Sequence, residues 1–155
     1  RQIPADFPRA KAEQQFVAYL KAIGPLAGQS GVTIVIEPLN TAECNFINSV
    51  AEADAVAAAA NHPHVCILAD FYHMLRDGQT PEDILRHPQH LRHIHVAEKA
   101  ERTAPGVNGD DFRPYLRALK QIGYRGMISI ESKWGDVATE AGAAVAELRR
   151  QLASV

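Results

Sequence analysis

Val32-Thr-Ile-Val-Ile-Glu37, Val65-Cys-Ile-Leu-Ala-Asp70 and Met127-Ile-Ser-Ile-Glu131 are apolar runs that each end on a carboxylate, and Leu91-Arg-His-Ile-His95-Val96 carries a histidine at the matching place. Short runs of this kind, separated by segments of helical periodicity, read as buried parallel strands. Parallel strands put their C-terminal ends on one side of the sheet, the side where barrel enzymes keep their chemistry. Glu37, Asp70, His95 and Glu131 are therefore expected to converge at one edge. Three carboxylates and one imidazole there read as a site for one divalent metal.

The segments between these runs supply the helices. Phe16, Val17, Leu20 and Ile23 recur at helical spacing and predict a helix over about 8–29, entered at Asp6 and Pro8 and kinked or ended early by Pro25. Ser49 with Glu52 forms a capping box for a second helix reaching about Ala60, and Asn61-His-Pro-His64 turns the chain into the next strand. Asp77-Gly78 reads as a turn, and Thr80-Pro81 opens a short helix to about Arg86. A long polar loop, Glu98–Asp110, follows the histidine-bearing run. Asp111 is a candidate cap for a helix over 112–122 that ends on Gly123. Asp136 caps a last helix with Ala141, Val145, Leu148 and Leu152 expected to face inward.

One helix followed by four strand–helix units means a parallel sheet covered by helices. An open doubly wound sheet and a (β/α) barrel both fit that order. The polar strand ends favour the barrel, because an open sheet gathers its ligand at a switch point between two strands. A complete barrel takes about 250 residues, whereas this chain has 155. The expectation is a single α/β domain over 1–155, the C-terminal half (about four β/α units) of a TIM-type parallel barrel. Half a barrel leaves the inner face of its sheet without a partner, so a missing N-terminal half or self-association into a homo-oligomer is expected. The first residue, Arg1, fits a truncated chain.

The net charge is −2 and 46% of residues are hydrophobic, as in a soluble globular protein. No Lys/Arg run offers a phosphate-binding face, so no nucleic-acid partner is expected. No apolar stretch approaches membrane-spanning length, and no secretory signal opens the chain. Of two cysteines, Cys66 reads as a core residue inside a strand, and Cys44 as either a free thiol or a pocket wall. Nothing suggests a disulfide framework, which points to a reducing cytoplasm.

Oxygen-rich ligation with one imidazole suits Mn²⁺, Mg²⁺ or Co²⁺ better than structural zinc, which prefers sulfur and nitrogen. In the loop after Glu37, Glu43 and Asn45 are candidates for bonding a hydroxylated ligand, while Asn48 is balanced between that role and a local cap. His73, three residues beyond Asp70, can reach the same mouth. His62, His64, His87, His90 and His93 read as surface or strand residues, with His93 one layer below His95 on the same face.

The runs Ile36-Glu-Pro-Leu-Asn-Thr-Ala-Glu-Cys-Asn-Phe-Ile-Asn-Ser49, Leu68-Ala-Asp-Phe-Tyr-His-Met74, His93-Ile-His-Val-Ala-Glu98 and Gly123-Tyr-Arg-Gly-Met-Ile-Ser-Ile-Glu-Ser132 resemble the sugar isomerase/epimerase barrels of the xylose isomerase-like superfamily. The likeness is to the ketose 3-epimerases related to D-tagatose 3-epimerase. The resemblance implies one divalent metal, usually manganese, held by Glu37, Asp70, His95 and Glu131. It implies that Glu37 and Glu131 are also the catalytic acid/base pair, and that Glu43, His73 and Arg102 hold a small-molecule sugar. The activity implied is isomerisation or epimerisation of a ketose through a metal-bound ene-diolate. Two alternatives stay open: a metal phosphodiesterase like the apurinic endonucleases of the same superfamily, which the charge balance disfavours, and a catalytically incomplete half-barrel.

Overall fold

The computed structural model describes residues 2–155. Along the chain come α1 (Arg9–Gln29), β1 (Ile34–Ile36), α2 (Val50–Ala60), β2 (Val65–Asp70), α3 (Phe71–Asp77), α4 (Pro81–Arg86), β3 (Leu91–Val96), α5 (Arg113–Gln121), β4 (Met127–Ile130) and α6 (Val137–Ala153). The strands form one parallel sheet in chain order, β1-β2-β3-β4. Unbroken chain order is the barrel arrangement; a doubly wound sheet reverses its order at a switch point. With β1 and β4 at its two edges, the sheet is a partial barrel.

Side chains on paired residues of parallel strands share a face, so register decides which residues look into the barrel. Between β2 and β3 the register slips by one: Ile67 pairs with Leu91 but Leu68 with His93, passing over Arg92. The slip places His95 rather than Ile94 opposite Asp70. It turns His93 and His95 inward and leaves Ile94 and Val96 buried against the helices. On β4, Ser129 pairs with His95 and Met127 with His93. Met127 thus lies on the inner face, where it is 72% exposed.

The outer face carries the core. Ile67, Ala69, Ile94 and Val96 lie under α2, α4 and α5, with Phe71, Ile84, Phe112 and Leu116 completely enclosed. Phe71 packs between Phe112 and Tyr115, with ring centroids 6.2 and 4.9 Å away. Gly24 of α1 is required by packing, since a Cβ there would stand 2.8 Å from the His62 ring. His87 and His90 are more than surface residues. Their Nδ1 atoms lie 3.0 and 2.6 Å from the two oxygens of Asp54, pinning the turn before β3 to α2.

Several expectations need correction. α1 passes through Pro25 to Gln29. The bond that proline cannot make would run to the Lys21 carbonyl on the solvent side, where both residues are exposed. Phe71–Asp77, to which the sequence reading assigns no helix, forms α3, capped by the Asp70 carboxylate on the Tyr72 N–H. Asp111 accepts from the Arg113 N–H, although Phe112 is the boundary residue of α5. On α6 the buried residues are Ala144, Leu148 and Gln151, while Val145 and Leu152 are 38% and 46% exposed. Val145 and Leu152 instead line an open groove beside β4 with Ile128, Ile130 and Trp134.

This difference between the two faces is measurable. Ile67→Ala, at a fully buried position, is expected to cost about 2–5 kcal/mol in urea unfolding of this chain. Met127→Thr is expected to change stability by no more than about 0.5 kcal/mol. A large loss at Met127 would mean that the inner face is covered.

Candidate metal centre

Each strand delivers one group to the mouth. Glu37 and Glu131 stand immediately after β1 and β4, Asp70 is the last residue of β2, and His95 is the next-to-last of β3. One ligand atom from each of the four lies within 4.8 Å of all the others, a grouping able to hold a metal ion. His95 Nδ1 is central, 3.3 Å from Glu37 Oε1 and 3.3 Å from Glu131 Oε2. Asp70 is fully enclosed, whereas the Glu131 side chain is 48% exposed at the open edge of the sheet.

The charges are in conflict. Burial, with the Glu37 charge adding to it, raises the Asp70 pKa to about 7 against the pull of the Tyr72 N–H, Arg102 and His95. Burial also raises Glu37, but hydrogen bonding to His95 and the charge of His95 bring it below the usual carboxylate range. The hydrogen bond to Glu37 raises His95, and the surrounding carboxylates outweigh the effect of its burial. A hard divalent cation relieves this conflict, and the donor set of three carboxylates and one imidazole fits one.

The other expected residues surround the tetrad. Arg102 lies across it: its Nη2 is 3.2 Å from Asp70 Oδ2 and bonds Glu131 Oε2, and its Nε donates to the Glu131 carbonyl at 3.1 Å. The guanidinium also stacks over Tyr72, 4.8 Å from the ring centroid. His73, 2% exposed, accepts the Asn40 backbone N–H on Nδ1 at 3.1 Å. Its proton therefore belongs on Nε2, which points at Asp70 Oδ2 (3.7 Å) and Glu37 Oε1 (4.0 Å) and has no hydrogen-bond partner among the described residues. Burial, followed by Arg102, lowers the His73 pKa and keeps the ring neutral. Glu43 accepts from Asn40 Nδ2 at 2.8 Å and lies 4.0 Å from His73 Nδ1, at the outer rim.

Two other loop residues do structural work. Asn45 bonds both the N–H and the carbonyl of Ile3, tying down the N-terminal segment. Asn48 donates to the Leu39 and Cys44 carbonyls. Cys44 is a free cysteine, as one of the two expectations had it, and is buried with its thiol donating to the Phe46 carbonyl. Asn40 and Tyr72 have places at the site that sequence reasoning did not assign. Asn40 had no signal, because its partner His73 is 33 positions away. Tyr72 had one in α3, whose bounds are marked by an Asp cap and Gly78 in the left-handed conformation.

Fold and mouth define a partial (β/α) barrel with an acidic, metal-competent rim. The chain belongs to the Xylose isomerase-like TIM barrel family, whose profile matches residues 2–154. It is 32% identical over 117 residues to the L-ribulose 3-epimerase of Methylomonas sp. (strain DH-1), covering 75% of this chain and 41% of that protein. It is 30% identical over 133 residues to the 2-oxo-tetronate isomerase of Cupriavidus necator, covering 83% and 51%. The crystal structure of D-allulose 3-epimerase from Methylomonas sp. superposes with a TM-score of 0.84 at 26% identity, over 97% of this chain and 59% of that one. The chain thus spans about half the length of the curated relatives it matches. Among its described residues, no helix is long and apolar enough to cross a membrane.

The raised pKa values set a pH dependence. Between the ordinary aspartate value of about 4 and about 7, folded Asp70 keeps a proton that the unfolded chain releases. Its contribution to stability therefore falls as pH rises through that window. Raised His95 acts in the same direction, stabilising below the ordinary imidazole value and losing that contribution as pH climbs through its folded pKa. Lowered His73 and His93 act oppositely in the same window, so the Asp70 share is a downward contribution to the slope of melting temperature against pH between about 5 and 8 in the metal-free chain. Asp70→Asn should remove that contribution; a slope unchanged by the substitution would contradict the assignment.

Proposed function

We propose that this chain carries the catalytic half of a divalent-metal-dependent sugar isomerase or epimerase acting on a ketose. One observation carries the reading: Glu37 and Glu131 arrive from opposite edge strands and flank His95, with Asp70 completing a four-ligand cluster. The named activities of the relatives, epimerase and isomerase, support the same class.

Glu37, Asp70, His95 and Glu131 would hold the ion, and Mn²⁺ suits their oxygen-rich set, with Mg²⁺ or Co²⁺ as substitutes. When bound, the ion supplies Lewis-acid polarisation of the ketose carbonyl and the neighbouring hydroxyl. The chain's own groups do the rest. One of Glu37 and Glu131 takes the proton from the carbon between carbonyl and hydroxyl. If that carbon is C3 and the other glutamate returns a proton to it on the opposite face, the 3-epimer forms; if it is C1 and a proton returns to C2 while the hydroxyl proton passes from O1 to O2, the aldose forms. His73 Nε2–H, Arg102 and Glu43 orient the sugar oxygens, and the enclosure of Asp70 limits water at the reacting end. The reading does not require nucleic acid: the formal charge is −2 and no basic face is present in the sequence.

The site works in a closed barrel, in which further β/α units cover the inner face now open at Met127 and the edges at β1 and β4. That complement is an N-terminal half in the same polypeptide or a second copy of this chain, and native mass of the active species distinguishes them. In the assembled barrel, Glu131→Gln is expected to lower kcat by about 10²–10⁴-fold. Removing metal with EDTA should abolish turnover, and Mn²⁺ should restore it. Near-normal turnover in either experiment would overturn the proposal.

A further inference from the structure

We propose that Glu98 is the positioning residue for Arg102: its carboxylate, sealed beneath the β3–α5 loop, fixes that loop in the conformation that lays the Arg102 guanidinium across the mouth. The inference rests on the substrate-binding reading of Arg102 above.

Glu98 stands two residues beyond β3 and is fully buried. A buried carboxylate is costly unless paired or fully hydrogen-bonded. Here neutral donors satisfy it. Oε1 accepts the backbone N–H groups of Gly106 (2.8 Å), Gly109 (2.9 Å) and Asp110 (3.3 Å). Oε2 accepts the Thr103 hydroxyl (2.8 Å) and the Asn108 N–H (2.5 Å). Burial pushes this carboxyl up, but the Asn108, Thr103, Gly106 and Gly109 bonds outweigh it and hold the group below the usual range. All five donors belong to residues 103–110 of the loop and none to the metal tetrad, so the group acts on the loop.

The loop needs such an anchor. Glu101 and Arg102 have φ of 55° and 56°, the left-handed region that side-chain-bearing residues disfavour. Two consecutive residues of that kind persist only where their surroundings over-determine them. Glu98 does so from below, its own N–H also donating to the Thr103 carbonyl at 2.9 Å. From the other side the Lys133 N–H donates to the Arg102 carbonyl at 2.8 Å. Held between these two, the Arg102 side chain reaches Glu131, Asp70 and the Tyr72 ring.

The test follows Arg102 itself. In the 155-residue chain, nitrogen–proton NMR reads solvent exchange at Arg102 Nε–H, which is bonded to the Glu131 carbonyl. Glu98→Gln keeps the shape but presents an NH₂ to N–H donors. Exchange at Arg102 Nε–H and at the amides of residues 103–110 should accelerate by about 10-fold or more, while β2 amides are unchanged. Unchanged Arg102 exchange in folded Glu98→Gln overturns the proposal. If that variant does not fold, Thr103→Val, which removes one donor, decides: faster exchange supports the assignment and no change overturns it.

A second arm uses the assembled enzyme. Glu98→Gln should raise the sugar KM by about 10-fold with kcat within about 3-fold. That effect should vanish in an Arg102→Met background, as expected for residues acting through one another. A KM effect that persists there overturns the proposal. Loss of sugar turnover in the wild-type assembled barrel would instead sink the sugar reading, leaving the NMR arm to judge Glu98.

Discussion

The one-residue slip between β2 and β3 governs this molecule. Side chains alternate along a strand, so a shift of one residue exchanges the two faces of everything beyond it. Because Leu68 pairs with His93, the imidazole of His95 enters the mouth beside Asp70, and Ile94 and Val96 are buried under the helices. Had the ladder continued from Ile67 and Leu91 without the slip, an isoleucine would face Asp70. Irregularities of this kind are common next to active sites, where they re-aim a side chain.

Convergence of the strand ends creates an electrostatic problem that the chain distributes over several groups. Asp70 is enclosed among like charges, and Arg102 bridges it to Glu131. His73 is held neutral, its Nδ1 occupied by Asn40, so that only a donor faces the carboxylates. The backbone around them is correspondingly over-determined. Asp70 caps α3 with the same carboxyl group that faces the mouth, and Glu98 gathers the following loop. Loop residues placed so firmly by a sheet and its caps are the usual carriers of chemistry on barrels.

What the sequence made legible was what local patterning encodes. The strand runs, the Thr80-Pro81 and Asp136 helix starts and the alternation of elements depend on neighbours within a few residues and have their counterparts in the structure. Of the expected Ser49 capping box only the Ser49 half forms, the Glu52 carboxylate accepting the Asn48 N–H instead. The four polar strand ends were readable because parallel topology alone forces them together. The contributions of Asn40 and Glu98 were not legible, since their partners lie across space or along a loop without periodicity. Asn45 was misjudged for the same reason: nothing local says that it binds Ile3. The inward face of α6 was misread because helical spacing alone does not separate the buried Ala144 and Leu148 from Val145 and Leu152, which line the open groove beside β4.

The partial barrel presents a groove along β4 and an inner face open at Met127, while its mouth is largely assembled by these four strands themselves. Metal binding should therefore be a property of this chain even before the barrel is closed. Anomalous scattering from crystals grown with Mn²⁺ tests that most directly. A single peak within bonding distance of the side chains of Glu37, Asp70, His95 and Glu131 is the predicted result. No peak there, or an ion held elsewhere with those side chains turned apart, would contradict the account.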